Sequence, residues 1–251
     1  MKHDPFRRRY LTDFLFFAVL FAFTSVLLFG AVTRVVHTSA RTSADAEVSP
    51  RPVIVLDPGH GGEDGGASGA DGTVEKNLNL TVANAVAEIL TAAGYDVRLT
   101  RTEDRLLYDL YGDLTDYTGH KKTYDLRNRL RFTKEAEASL LVSIHMNKFS
   151  DPQYSGLQVY YSTARPESQT AASAVQNYAK LYLQKDNDRQ IKKATSSIYL
   201  LARSECPAIL IECGFLSNEE ELSRLTDPLY QRKLALTIAC AIAESMTGIA
   251  A

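Results

Sequence analysis

The pattern of apolar and polar residues divides most of the chain into alternating strand-like and helix-like segments. Short apolar or alternating runs predict β-strands at residues 53–56, 95–100, 140–144, 156–162, 198–202 and 208–211. Apolar residues that recur every three or four positions predict helices at residues 74–93, 124–138, 165–184 and 228–245, with a short helix after Ser217. This alternation predicts an α/β fold, with a mostly parallel or mixed central sheet flanked by helices on both faces.

Local signals mark several ends of these elements. Thr73 is expected to cap the first helix, and Ser217 with Glu220 forms a capping box for the short one. The polar connection at residues 102–123 contains three tyrosines and is longer than a connection without a functional role usually is in a compact domain. It is therefore interpreted as either a mobile flap or one wall of a substrate groove.

The first fifty residues follow a different pattern. A start that is rich in Lys and Arg precedes an apolar run at residues 14–32. As a helix these 19 residues would be about 28 Å long, close to the thickness of the hydrocarbon core of a bilayer. We therefore predict a membrane anchor within residues 1–36, with its N-terminus in the cytoplasm. A polar linker at 37–50 and a folded domain at 51–251, on the outer side of the membrane, are predicted to follow. The alternative is a signal peptide that is cleaved after Ala46.

Composition narrows the possible functions. The chain has 251 residues, of which 45% are hydrophobic and 23% charged, which suits one globular domain plus an appendage. The formal net charge of −2 argues against nucleic-acid binding, which would require a basic surface. Three cysteines lack the paired spacing of a disulfide framework or a thiolate zinc site, and two of them, Cys213 and Cys240, are expected to be buried.

Three predicted strands are followed by side chains that can bind a metal or transfer a proton. His60 follows the first strand within a glycine-rich loop, and His145 and Glu212 follow the strands at 140–144 and 208–211. In open α/β sheets, ligands bind at this carboxyl edge. The apolar stripe of the first helix, projected backwards, delivers Glu75 to the same edge. Taken singly, His60 could be a solvated loop residue and Glu75 a surface glutamate that the helix dipole favours.

The combination of these four side chains indicates a particular chemistry. Two histidines and one glutamate around a zinc ion leave one position open for water, which is the pattern of catalytic zinc sites. A second glutamate beside such a site can accept a proton from water and pass it to a leaving amine. The spacing alone leaves open which of Glu75 and Glu212 binds the metal.

Five short motifs along residues 53–243 resemble those of a known enzyme family. They are Leu-Asp-Pro-Gly-His-Gly-Gly (56–62), Glu-Lys-Asn-Leu-Asn-Leu (75–80), Thr-Arg (100–101), Ser-Ile-His-Met-Asn (143–147) and Ile-Glu-Cys-Gly-Phe-Leu-Ser-Asn (211–218). Together and in this order they are similar to the zinc-dependent N-acetylmuramoyl-L-alanine amidases, which cut peptidoglycan. The resemblance implies that His60, Glu75 and His145 hold one zinc ion and that Glu212 is the catalytic residue.

The tyrosine-containing connection resembles that of the sporulation amidases, through Gly119-His120-Lys121-Lys122 and Asp125-Leu126-Arg127. Those enzymes trim spore-cortex peptidoglycan, a step toward muramic δ-lactam formation. His120 is expected to be a surface residue rather than a further ligand. The resemblance implies glycan strands with stem peptides as the substrate. With the predicted anchor, it implies a catalytic domain on the outer side of the cell membrane, or a secreted enzyme if cleavage occurs near Ala46. Alternatives are a non-catalytic peptidoglycan-binding module and another cell-wall zinc hydrolase, and a need for an activator protein stays open.

Overall fold

Strands and helices alternate along the described part of the chain. The computed structural model describes residues 51–249, with side chains through Thr247. The strands are β1 Val53–Pro58, β2 Asp96–Leu99, β3 Leu140–Asn147, β4 Gln158–Tyr161, β5 Lys192–Lys193 and β6 Ala208–Phe215. The helices are α1 Glu75–Ala92, α2 Lys121–Glu135, α3 Glu167–Tyr178, α4 Tyr199–Arg203, α5 Glu219–Thr226 and α6 Pro228–Ile249, and a π-helical turn at Ala179–Leu183 follows α3.

The predicted anchor at residues 14–32 and the linker at 37–50 lie outside the described residues. Within residues 51–249, no helix combines the length and the apolar character that crossing a bilayer requires.

One six-stranded sheet organises the domain, in the order β2-β1-β3-β6-β4-β5. The neighbours β2, β1, β3 and β6 run parallel, whereas β4 is antiparallel to β6. The predicted α/β fold with a mixed sheet is therefore confirmed. Because parallel strands end at one edge of a sheet, residues near the ends of β1, β3 and β6 meet there.

Helices cover both faces of this sheet. On one face α1, α3 and α6 pack over the larger core, whose strand residues include Ile54, Val142 and Ile211. On the other face α2 and α4 cover a smaller cluster that includes Leu141 and Leu210. Successive strand residues point to opposite faces. Along this second face the strand residues change from apolar to polar towards the carboxyl edge, where the candidate site lies.

One predicted element was wrong, and the end of another differs from its prediction. Residues 198–202, predicted as a strand, belong largely to helix α4, and the short strand of this region is β5. A five-residue apolar run is compatible with either conformation. Here the side chains of Leu200 and Leu201 are buried in the smaller core from a helix rather than from a strand. The helix predicted over 165–184 changes into the π-helical turn, which leaves Tyr182 69% exposed.

Both predicted capping residues were also wrong. Helix α1 follows Val74, which makes no side-chain cap, and helix α5 is capped by Asn218, which accepts a hydrogen bond from the N–H of Glu221 at 3.0 Å. The hydroxyls of Thr73 and Ser217 bond elsewhere, to a neighbouring aspartate and to the backbone of the loop after β3. Thr73 is thus engaged by Asp71 two positions before it, whereas Ser217 is engaged by Phe149, which lies 68 positions away.

Candidate active site and metal centre

The carboxyl edge of the sheet brings the four predicted site residues together. His145 and Glu212 are register partners in the adjacent strands β3 and β6, so their side chains lie on the same face of the sheet. Both strands extend past these residues, which lie within strands rather than after them as predicted. His60 comes shortly after β1, and Glu75 is the first residue of α1.

His60, Glu75 and His145 form a cluster that could hold a metal ion. Their possible ligand atoms all lie within 4.8 Å of one another. Oε1 of Glu75 lies 2.9 Å from Nδ1 of His145 and 3.3 Å from Nε2 of His60. The two imidazole rings meet edge to face with their centroids 5.0 Å apart. Two imidazoles and one carboxylate form a donor set typical of catalytic zinc sites.

Glu75 is buried and fixed from several sides. Its Oε2 accepts the N–H of Ala67 at 2.7 Å, and its Oε1 accepts the N–H of Met146 at 3.1 Å and the side-chain amide of Asn79 at 3.2 Å. Burial alone would raise the pKa of Glu75, but the two imidazoles outweigh burial and lower this pKa far below its usual range. The carboxylate is therefore ionised and oriented in advance, as a metal ligand must be.

The backbone around the cluster leaves space for these side chains. A β-carbon added at Gly59 would overlap the imidazole of His145, and one added at Gly66 would overlap Glu75 and the ring of His60. His60 itself has a φ of 63°, which is uncommon for a residue other than glycine. A loop shaped in this way around two imidazoles and a carboxylate fits a zinc site.

Asp64 is a neighbour of the cluster that sequence analysis missed. Its Oδ1 lies 3.0 Å from Nδ1 of His60, an ion-pair distance, although the two atoms are not aligned for a hydrogen bond. Burial lowers the pKa of His60, but Glu75 and Asp64 outweigh burial and raise it. A carboxylate behind a metal-binding histidine fixes the orientation of the ring. The available signal was an acidic residue within the glycine-rich loop.

Glu212 lies beside the cluster in a different electrostatic environment. Its Oε2 is buried and has no hydrogen-bond partner among the described residues. Burial, helped by the charge of Glu75 and opposed by the two histidines, raises the pKa of Glu212 to about 7. A carboxyl group with a pKa near 7 can accept and donate a proton at neutral pH.

Two buried arginines hold the backbone that carries His60. Arg129, which is 2% exposed, makes charge-assisted hydrogen bonds to four acceptors. These are the carbonyl oxygens of Pro58 and His60, at 2.9 and 2.7 Å, and the carboxylates of Asp57 and Asp125, at 2.7 and 2.8 Å. Arg101 donates to the carbonyl oxygens of Pro58 and Gly59 at 2.9 and 3.0 Å. Sequence analysis did not single out Arg129, whose signal is its position four residues after Asp125 on one helix face.

The connection at residues 102–123 packs against the glycine-rich loop. Asp104 accepts the N–H of Gly62 at 2.7 Å, and Lys121 pairs with Glu63 at 2.9 Å. Tyr108, Tyr117 and Tyr124 stack edge to face along the connection and the start of α2. Residues of the connection and of the loop line a cavity of about 540 Å³ beside these contacts. The connection therefore forms one wall of this cavity.

Three other predictions concern residues outside the cluster. His120 is exposed before α2 and lies outside the cluster, as expected for a surface residue. Cys213 is buried in the larger core, on the face of β6 opposite to Glu212. The prediction that Cys240 is buried was wrong, because this residue lies on the exposed side of α6.

Comparisons with known proteins agree with the geometry. Residues 54–244 match the family described as N-acetylmuramoyl-L-alanine amidase. A germination-specific N-acetylmuramoyl-L-alanine amidase of Bacillus subtilis is 38% identical over 186 residues, which cover 74% of this chain and 76% of that protein. The N-acetylmuramoyl-L-alanine amidase LytC of the same organism is 31% identical over 186 residues, and the match covers 74% of this chain but 34% of that protein.

A solved structure is also similar along most of the described residues. The CwlD amidase from Clostridioides difficile, in complex with the GerS lipoprotein, superimposes with a TM-score of 0.72 and 37% sequence identity. The match covers 79% of this chain and 100% of that one.

Proposed function

Because the chain belongs to the N-acetylmuramoyl-L-alanine amidase family and is therefore a hydrolase, we propose that it uses one zinc ion to cleave the amide between the lactyl group of N-acetylmuramic acid and L-alanine of the stem peptide. One observation carries this proposal: the ligand atoms of His60, Glu75 and His145 lie within 4.8 Å of one another, and Glu212, whose Oε2 is buried, is the register partner of His145. In this proposal the first three residues hold the zinc ion. When bound, zinc polarises a carbonyl group and lowers the pKa of water.

Glu212 performs the proton transfers in this proposal. Its Oε2 accepts a proton from the attacking water and delivers this proton to the nitrogen of the departing L-alanine. The pKa of about 7 suits both steps, because a group with this pKa can both accept and donate a proton at neutral pH. Asp64 orients His60, and the arginines beneath the loop keep its carbonyl groups in place.

The amidase proposal is tested by incubating purified protein and zinc with peptidoglycan and analysing the products by mass spectrometry. Stem peptides with a free N-terminal alanine, absent with a Glu212→Gln variant, are the expected products. Tight binding without any release would indicate a non-catalytic wall-binding module instead. Release of acetate, or cleavage within the stem peptide, would indicate another cell-wall zinc hydrolase.

We further propose that the substrate is spore-cortex peptidoglycan and that the cleavage precedes muramic δ-lactam formation. Similarity to a germination-specific amidase and to CwlD supports this proposal, as does the resemblance of the connection at residues 102–123 to the sporulation amidases. Because CwlD was solved with a lipoprotein, a lipoprotein partner is proposed for this chain as well. Spores that lack the protein are expected to lack muramic δ-lactam, and normal δ-lactam content would contradict the proposal.

The location that we propose is the outer face of the cell membrane, with residues 1–36 retained as an anchor. The apolar run at 14–32 and the basic residues before it support this proposal. Full-length protein is expected to remain in the membrane fraction after carbonate extraction, whereas a chain without residues 1–50 is expected in the soluble fraction. A mature N-terminus at Glu47 would show cleavage and a secreted enzyme.

A further inference from the structure

A second groove adjoins the site on the side of β4, and the chemistry described above does not use it. It has a volume of about 1050 Å³ and lies between the loop after β3, the π-helical turn and the start of α5. Gly156 lines this groove, and Gln158, two residues further on, is the register partner of Glu212. Because β4 is antiparallel to β6, the start of β4 lies at the same sheet edge as Glu212. The groove therefore opens at the same edge of the sheet as the proposed catalytic group.

Arg189 is the most firmly held cation in this groove. Its Nε donates to the carbonyl oxygen of Ser155 at 2.6 Å, and its Nη1 donates to Oε1 of Gln158 at 3.3 Å. The guanidinium carbon lies 4.6 Å from the centre of the Phe215 ring. The backbone N–H of Arg189 donates to Oδ1 of Asn187 at 3.0 Å. Both ends of this long side chain are thus fixed before any ligand binds.

Within the described part of the chain, Arg189 forms no ion pair in this groove, although carboxylates also line it. Among the described residues, no carboxylate lies within ion-pair distance of its guanidinium. Most of the groove's carboxylates have other partners. Glu220 pairs with Arg224, Asp188 pairs with Lys180, and the buried Glu221 accepts the N–H groups of Gly156 and Phe215. A guanidinium has five N–H donors, and only Nε and Nη1 are used here.

A fixed guanidinium with free donors is suited to bind a carboxylate by two parallel hydrogen bonds. In the proposed reaction, the part of the substrate that continues from L-alanine is a peptide that carries carboxylate groups. The side chain of Gln158 connects Arg189 to the strand position opposite Glu212.

We propose that this groove is the subsite for the stem peptide and that Arg189 binds a carboxylate of this peptide close to the scissile amide. The enzyme then selects stem peptides with a free carboxylate at that position over amidated ones. This inference rests on the proposed function and adds the substrate feature that the site recognises.

The test compares two synthetic muropeptides that differ only in whether this carboxylate is free or amidated. Full-length, zinc-loaded wild type is expected to cleave the acidic peptide with a kcat/KM about 10- to 100-fold higher, the effect of one charge-assisted hydrogen-bonded pair. Arg189→Met is expected to lose this preference, mainly through a higher KM for the acidic substrate, and Arg189→Lys to recover part of it. Lys185→Met removes an exposed cation from the same groove and is the matched control, expected to keep the preference.

Binding of the released stem peptide, acidic or amidated, is measured in parallel by calorimetry. This measurement does not require turnover, so it separates a failure of the amidase proposal from a failure of the subsite proposal. Preferential binding of the acidic peptide by wild type but not by Arg189→Met supports the subsite. No preference in the wild type, or an equal loss for both peptides in Arg189→Met, would overturn it.

Discussion

Replacement of Arg129 by methionine tests whether the candidate metal site is held in place from beneath. Arg129 is buried, pairs with Asp57 and Asp125, and donates to the carbonyl oxygen of His60. Methionine is also unbranched but has no charge, so the variant leaves both aspartates buried without their cation. We expect Arg129→Met to fold with lower stability and to bind zinc more weakly, because the loop that carries His60 loses a donor.

The size of the stability loss follows from the burial of the pair. Removing one partner of a buried ion pair costs about 3–5 kcal/mol, because the remaining charge stays desolvated. For a domain of this size, each kcal/mol lowers the melting temperature by about 2–4 °C. The expected fall in melting temperature is therefore about 6–20 °C.

The stability difference between the wild type and the variant is also expected to depend on pH. Burial works against the charge of Asp57, but Arg129 and the hydroxyls of Ser143 and Thr100 outweigh burial and lower its pKa from 3.8 to about 2. A carboxyl group with a lowered folded-state pKa contributes stability above about pH 4 and loses this contribution as the pH falls towards 2. For a shift of this size the contribution is about 2–3 kcal/mol.

In Arg129→Met the effect on Asp57 has the opposite sign. Without the guanidinium, burial raises the pKa of Asp57, so protonation at low pH relieves the penalty of the buried charge. The difference in unfolding free energy between the two proteins is therefore widest near neutral pH and narrows as the pH approaches 3.

Thermal and urea unfolding of the metal-free proteins between pH 7 and pH 3 measures this difference, and chelator competition measures zinc affinity. Arg131→Met is the matched control, because Arg131 lies on the exposed side of the same helix and pairs with Glu135 at the surface. Surface pairs contribute little, so this control is expected to unfold almost like the wild type. An equal loss in both variants, or a difference that stays constant with pH, would refute the role of Arg129.

Three further results are expected at the site itself. Glu212→Gln is expected to reduce turnover by roughly 10²- to 10⁴-fold, with zinc content and melting temperature close to those of the wild type. Wild-type turnover in the purified variant would contradict the catalytic role of Glu212. Glu75→Ala is expected to lower the zinc content measured by mass spectrometry, because it removes one of the three proposed protein ligands; full occupancy would show that the roles of the two glutamates are exchanged. Gly59→Ala is expected to weaken zinc binding, because the added β-carbon overlaps the ring of His145, and an unchanged affinity in chelator competition would show that this ring moves aside at little cost.

The sequence by itself determined the class of fold and the residues that meet at the site. Periodicity records which side of each element is buried, and this was sufficient for the mixed sheet and for most helices. Since parallel strands end at one edge, the positions of His60, His145 and Glu212 along the strands predicted that these residues meet. The structure brings them together with Glu75, while their individual roles stay predictions.

Only the tertiary structure decided what depends on neighbours that are distant along the chain. The segment at 198–202 is helical because its leucines reach the smaller core in that form, which a short apolar run does not encode. Arg129 lies 72 positions from Asp57, and no local pattern pairs them. The pKa of Glu212 rises to about 7 because the surrounding elements remove water from its carboxyl group. Desolvation and charge pairing are properties of the assembled fold, and they determine the chemistry that each site residue can perform.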